Sequence, residues 1–142
     1  MGKSDRRPRK STVISVLWTV LAVIVAAVIL RAAIQKLMGV PIALEPFQEF
    51  GWPAWTVYLT AAGEIIGSIA LIVPRTRPFG GLLLTLVMVG AAFTNFANGH
   101  PDYVVLNAIL IAGSLLLVWQ SRENLHLPSG HGRQAHGPRL RT

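Results

Sequence analysis

Four long apolar runs, each roughly 20 residues, occupy most of a 142-residue chain, and they constrain its fold more than any other feature. The runs start near Thr12, Ala54, Phe79 and Tyr103 and end near Ile34, Val73, Ala97 and Gln120. At 1.5 Å rise per residue, each spans about 30 Å, the thickness of a bilayer's hydrocarbon core. A soluble protein can bury such helices on all sides only inside a large core, and a chain this short has none. The sequence therefore predicts an all-α polytopic membrane protein, a bundle of four transmembrane helices. Its parts are a basic tail over 1–11, the transmembrane domain over 12–120, and a Gly-, Pro-, His- and Arg-rich tail over 121–142 that is read as disordered.

The interruptions between runs fit this plan. Pro41, Pro46, Gly51 and Pro53 break the segment after the first run and predict a connector there. Pro74–Pro78 forms a tight basic turn, and Asn98–Pro101 ends the third run. The first run is too long for the apolar region of a signal peptide, so it is read as an uncleaved helix.

Charge sets the expected orientation. Only 13% of residues are charged, against about 25% in an average soluble domain. Lys and Arg cluster in the two tails and in the turn with Arg75 and Arg77, which predicts a multi-pass plasma-membrane protein with both termini cytoplasmic. The net charge of +7 is read as an orientation device rather than a nucleic-acid surface, because the basic residues are not interleaved with aromatics. The expected partners are the lipid bilayer and a membrane-protein partner or a second copy of the chain. With no cysteine, disulfide, thiolate and iron–sulfur chemistry are excluded. His126, His131 and His136 recur every five residues but lack the further ligands of a metal site, and no metal is expected.

One carboxylate breaks the apolar pattern. Glu64 lies at the middle of the second run, where an acidic residue costs about 2.5–3.5 kcal/mol on an insertion scale. Thr60, Gly67 and Ser68 share its face at helical spacing, and Gly63 with Gly67 allows close helix packing. Arg31, Gln35, Asn95 and Asn107 fall in the outer halves of the other runs, which predicts an outward-opening polar cleft with Glu64 at its floor. Arg31 is the expected cation for Glu64, with Gln35 or Asn95 in support. Lys36 sits farther out and ranks second. The blander readings are a structural carboxylate at Glu64, snorkelling cations at Arg31 and Lys36, and helix-joining amides at Asn95 and Asn107.

Taken in order, these features resemble the DoxX family of small four-helix membrane proteins. Arg31–Gly39 resembles that family's polar end of helix one, and Phe50-Gly51-Trp52-Pro53 its entry to helix two. Gly63-Glu64-Ile65-Ile66-Gly67, followed by Leu71 and Pro74, resembles its central acidic segment and helix exit. Met88–Asn95 resembles the helix-three segment, with Thr94-Asn95 where relatives often carry Thr-His. The resemblance implies a compact four-helix bundle and, through relatives linked to quinone-associated oxidoreductases or to assembly of other membrane proteins, a subunit or assembly factor of a membrane complex; the small size and missing catalytic constellation make the expected role non-catalytic. The residues themselves keep a second function open: a site for a small molecule or quinone, or a proton-coupled transporter using Glu64. No catalytic constellation is visible, whether the chain is an enzyme stays open, and no cofactor is assigned.

Overall fold

The computed structural model describes residues 10–125, and within them five helices and no strand. The two expected tails lie outside the described residues, except that Lys10 and residues up to Leu125 continue the first and last helices. Four helices are long and apolar enough to cross a membrane: α1 (Lys10–Leu37), α3 (Trp55–Ile72), α4 (Arg77–Ala97) and α5 (Pro101–Leu125). The all-α bundle expected from the apolar runs is the architecture observed.

The remaining helix, α2 (Pro41–Phe50), replaces what the prolines predict as an irregular connector. Pro41 stands in its first turn, where a missing N–H costs nothing. Pro46 removes one interior hydrogen bond and keeps the helix short. Gly39 (φ 71°) and Gly51 (φ 77°) bracket α2 in left-handed conformations that other residues adopt only with strain. At Gly51 the backbone N–H returns to the Gln48 carbonyl and closes the helix.

The long helices run antiparallel to their neighbours in a ring. Packing is most extensive between α4 and α5, α1 and α3, and α3 and α4, and thinner between α1 and α5. Glycines set the closest approaches. A Cβ on Gly80 would lie 2.5 Å from the Leu71 backbone nitrogen and 2.7 Å from the Gly67 carbonyl, so α3 and α4 touch backbone to backbone there. At Gly81 the space a Cβ would take is filled by the Val118 side chain of α5. Gly67 of the Gly63–Gly67 step is the residue at the crossing, while Gly63 faces Val87.

The turn between α3 and α4 is fastened by Arg77. Its side chain is buried, and its Nε donates to the Leu71 carbonyl at 3.1 Å, one of the carbonyls left free at the end of α3. The Thr76 hydroxyl donates to the Ala70 carbonyl at 2.9 Å. Arg77 is therefore a helix cap as well as part of the basic turn.

Ala22, Val25, Ala26, Ile29, Leu71, Leu84, Met88, Leu110 and Leu117 form one apolar cluster from the middle of the bundle toward the α3–α4 turn. Toward the opposite end, where α2 lies, Glu64, Thr94, Asn95 and Asn107 are buried beside the apolar Ala33, Val57 and Ala61.

Candidate functional site

On α1, residues Ala22, Val25, Ala26, Ile29 and Ala33 form the buried stripe, spaced three and four apart. Continuing that spacing reaches Lys36. The chain stays helical through Leu37, about three residues beyond the end expected from hydropathy, so Lys36 falls on the core-facing side. On α3, the matching stripe is Val57, Ala61, Glu64, Gly67, Ser68 and Leu71.

The two stripes join in one ion pair. Lys36 Nζ donates to Glu64 Oε1 at 2.5 Å, with the lysine side chain 11% exposed and the glutamate fully buried. Helical side chains lean toward the N-terminus of their own helix. Lys36 thus leans back along α1 into the bundle, and Glu64 leans along the antiparallel α3 toward the α2 end. The two lean toward each other, which closes an axial gap that counting residues alone leaves open.

This overturns the expectation that Arg31 is the cation of Glu64. Arg31 is exposed, and at 100° per residue it lies roughly 180° around α1 from the mean of the buried stripe. Depth favoured Arg31, but helical phase favours Lys36. Gln35 is half-buried at the same end, and its backbone carbonyl accepts the Val40 N–H. Asn95 and Asn107 are both buried on α4 and α5, with Asn95 Oδ1 and Asn107 Nδ2 unpartnered. Neither is hydrogen-bonded to Glu64. Glu64 Oε2 is likewise buried and without a partner.

A cleft of about 210 Å³ opens beside the pair. Lys36 stands in its wall with Phe47, Gln48, Trp52, Val57 and Tyr58. Glu64 lies behind Lys36 and does not reach the cleft surface. The cleft therefore differs from the polar funnel expected from helix depth: its walls are mainly aromatic and aliphatic, and Lys36 is its charged group.

Three contacts hold α2 across the bundle end and so shape the cleft. Asn98 Nδ2 donates to the Pro46 carbonyl at 2.9 Å, and His100 Nε2 lies 2.8 Å from Glu49 Oε2. Just past α2, Trp52 Nε1 donates to Thr94 Oγ1 at 3.3 Å. Phe50 stacks on Trp52 with ring centroids 5.1 Å apart. The roles of Trp52, Thr94 and His100 could not be read from periodicity, because each contact joins segments over 40 residues apart.

A lysine has three N–H donors, and among the described residues Glu64 engages one. The arrangement can therefore hold a hydrogen-bond acceptor against Lys36 while the aromatic walls take an apolar body.

A family model described as the DoxX-like family matches residues 20–117 of the chain. No curated protein and no solved structure matches it.

Proposed function

The chain belongs to the DoxX-like family of membrane proteins, and from that premise and the geometry of its polar end we propose that it binds a small lipophilic molecule in the α2 cleft. The observation that carries this reading is a lysine in the wall of an aromatic-lined cleft, backed by a fully buried carboxylate. An ion pair placed only to join α1 and α3 gains nothing from a cleft at its side, and apolar residues of similar size join helices at lower desolvation cost. An engineered cavity of about 150 Å³ takes up benzene, so a cleft somewhat larger suits one ring or a short branched chain. A polar acceptor on that ligand would meet the donors of Lys36. Quinones, one context implied by the resemblance, fit this description, with a carbonyl as the acceptor.

The orientation proposed is that of the charge pattern. Both termini are cytoplasmic and the α2 end faces the outside of the plasma membrane, where Tyr58 and Trp55 lie exposed near the interface. A role as a subunit or assembly factor, in contact with a protein partner or a second copy, is the other function implied by the resemblance. The geometry adds no support to it.

Equilibrium binding of the neutral ring probe 4-nitroanisole to the protein in lipid nanodiscs tests the proposal. Saturable binding is expected, weakened by Ala54→Trp, a bulkier side chain at a wall residue outside the ion pair. Identical uptake by wild type and Ala54→Trp would show partition into lipid only and end the proposal.

A further inference from the structure

One helix of the five, α2, buries no residue: Ala43, Leu44, Pro46 and Phe47 are half-buried and the rest of it is exposed. A segment with so few buried contacts opens locally at low free-energy cost. It joins its neighbours through Gly39 and Gly51, both left-handed, and at each a Cβ would meet no atom within 4 Å. Open surroundings let these two positions change φ and ψ without a clash, as a hinge requires. Leu44, Phe47 and Gln48 of α2 form one wall of the cleft, so a swing of α2 widens it.

Among the described residues, two side-chain hydrogen bonds tie α2 itself to the rest of the bundle. Asn98 holds the Pro46 carbonyl at every pH, whereas His100 holds Glu49 through an ionisable ring. His100 stands on a fixed frame. Its backbone N–H donates to the Asn95 carbonyl at 2.9 Å, and its own carbonyl accepts the Val104 N–H of α5. Its ring meets Tyr103 edge-on, with centroids 5.9 Å apart. The moving partner is therefore Glu49.

We infer that α2 is a hinged wall of the cleft, latched by the His100–Glu49 pair under mildly acid conditions and released as the imidazole loses its charge. An imidazolium and a carboxylate coexist between about pH 4.5 and about pH 6.5, the ordinary ranges of the two groups. There the contact is a charge-assisted hydrogen bond, about twice as strong as a neutral one. Docked α2 offers the imidazolium a carboxylate that swung-out α2 does not, so the docked form binds the proton more tightly. Its extra stability is present below the ordinary imidazole range and is lost as the pH rises through it. Of the other ionisable groups at this end, Glu45 is exposed one turn before Glu49, and Asp102 is exposed in the first turn of α5. Lys36 is paired with Glu64, Arg31 lies on the outer side of α1, and Tyr58 stands in the far wall of the cleft. Among the described residues none of them is hydrogen-bonded to His100 or Glu49. The movement stands on its own; its consequence for ligand entry rests on the cleft being a ligand site.

Hydrogen exchange of the α2 amides, in full-length protein in nanodiscs at pH 5.5 and pH 7.5, tests the latch. Rates are expressed relative to an unstructured peptide of the same sequence, which removes the intrinsic pH dependence. The opening of α2 in wild type is expected to rise about two- to fivefold at the higher pH, the size of a partly exposed ion pair, with α3 and α4 unchanged. His100→Gln keeps a neutral donor, and Glu49→Gln removes the carboxylate. Each should hold α2 at its high-pH opening at both values. His100→Lys keeps a cation at both and should remove the pH dependence at the more protected level. Asn98→Ala should increase opening at both pH values and preserve the ratio between them. Equal α2 opening at the two pH values in wild type overturns the latch. So does a pH response that survives both His100→Gln and Glu49→Gln, which would place its origin in another group such as the Lys36–Glu64 pair. A response shared equally by α3 and α4 also overturns it, as loosening of the whole bundle. None of these outcomes depends on 4-nitroanisole binding, so the latch and the ligand site fail separately.

Discussion

Replacing Lys36 with Met tests the pair most sharply, because it leaves Glu64 fully buried and without its cation. Breaking a buried ion pair from one side costs about 3–5 kcal/mol in soluble proteins. Here two effects limit the loss. Glu64 can take a proton instead, and protonating an ordinary glutamate at pH 7 costs about 4 kcal/mol, which sets the ceiling. The unfolded chain in a membrane also finds polar partners, which lowers measured interhelical values to about 0.6 kcal/mol on average for hydrogen bonds. A loss of about 2–3 kcal/mol is expected between these bounds. Because the variant's folded state would carry a proton that its unfolded state lacks, the deficit should shrink as the pH falls from about 7 toward about 5. Replacing both residues, Lys36→Met with Glu64→Met, removes both charges together and should cost far less than the sum of the singles. The measurement is equilibrium unfolding in mixed micelles across a double-mutant cycle, with a second cycle pairing Arg31→Gln and Glu64→Gln. Additive losses for Lys36 and Glu64, or a larger coupling between Arg31 and Glu64, would refute the reasoning.

Three further outcomes follow from the packing. Gly80→Leu must push α4 off the α3 backbone, where even a Cβ finds 2.5 Å to Leu71 N, and should lower the melting temperature by an amount matching at least about 1–3 kcal/mol; Gly90→Ala, with no neighbour within 4 Å, should be neutral or slightly stabilising in the same scan. Arg77→Met uncaps the Leu71 carbonyl and should cost about 1–3 kcal/mol in denaturant unfolding, while Arg75→Met, on an exposed side chain, should change little. Single cysteines introduced at residue 75 and residue 99 of this cysteine-free chain should label from the cytoplasmic and external sides respectively, and labelling from the same side would contradict the four-span arrangement.

The fold was readable in the sequence because a bilayer demands length and apolarity, and both are local properties of a segment. The same logic marked Glu64, whose charge is out of place at the centre of a run. The partner of Glu64 is less legible, because depth along α1 points to Arg31 while phase around it points to Lys36. The run Ala22, Ala26, Ile29, Ala33 already points to Lys36, and that stripe was available in the sequence. Hydropathy hides it by ending α1 near Ile34, whereas the helix runs to Leu37. Depth puts Asn95 and Asn107 in the outer halves of their helices, and both are buried in the bundle, yet depth does not say whether two helices bring their polar groups together. The α2 helix was masked by its prolines, which here start and shorten a helix rather than exclude one. Its tethers to Thr94, Asn98 and His100 are long-range contacts, and a single sequence carries no trace of them.

The most direct test of the proposed ligand site is native mass spectrometry of the protein extracted in mild detergent from its own membranes, comparing wild type with Lys36→Met. The account predicts a bound small lipophilic molecule on wild type, released on activation as a discrete mass, and its loss from Lys36→Met. A bare wild-type chain, or one accompanied by a stoichiometric protein partner in both forms and by no small molecule in either, would contradict it.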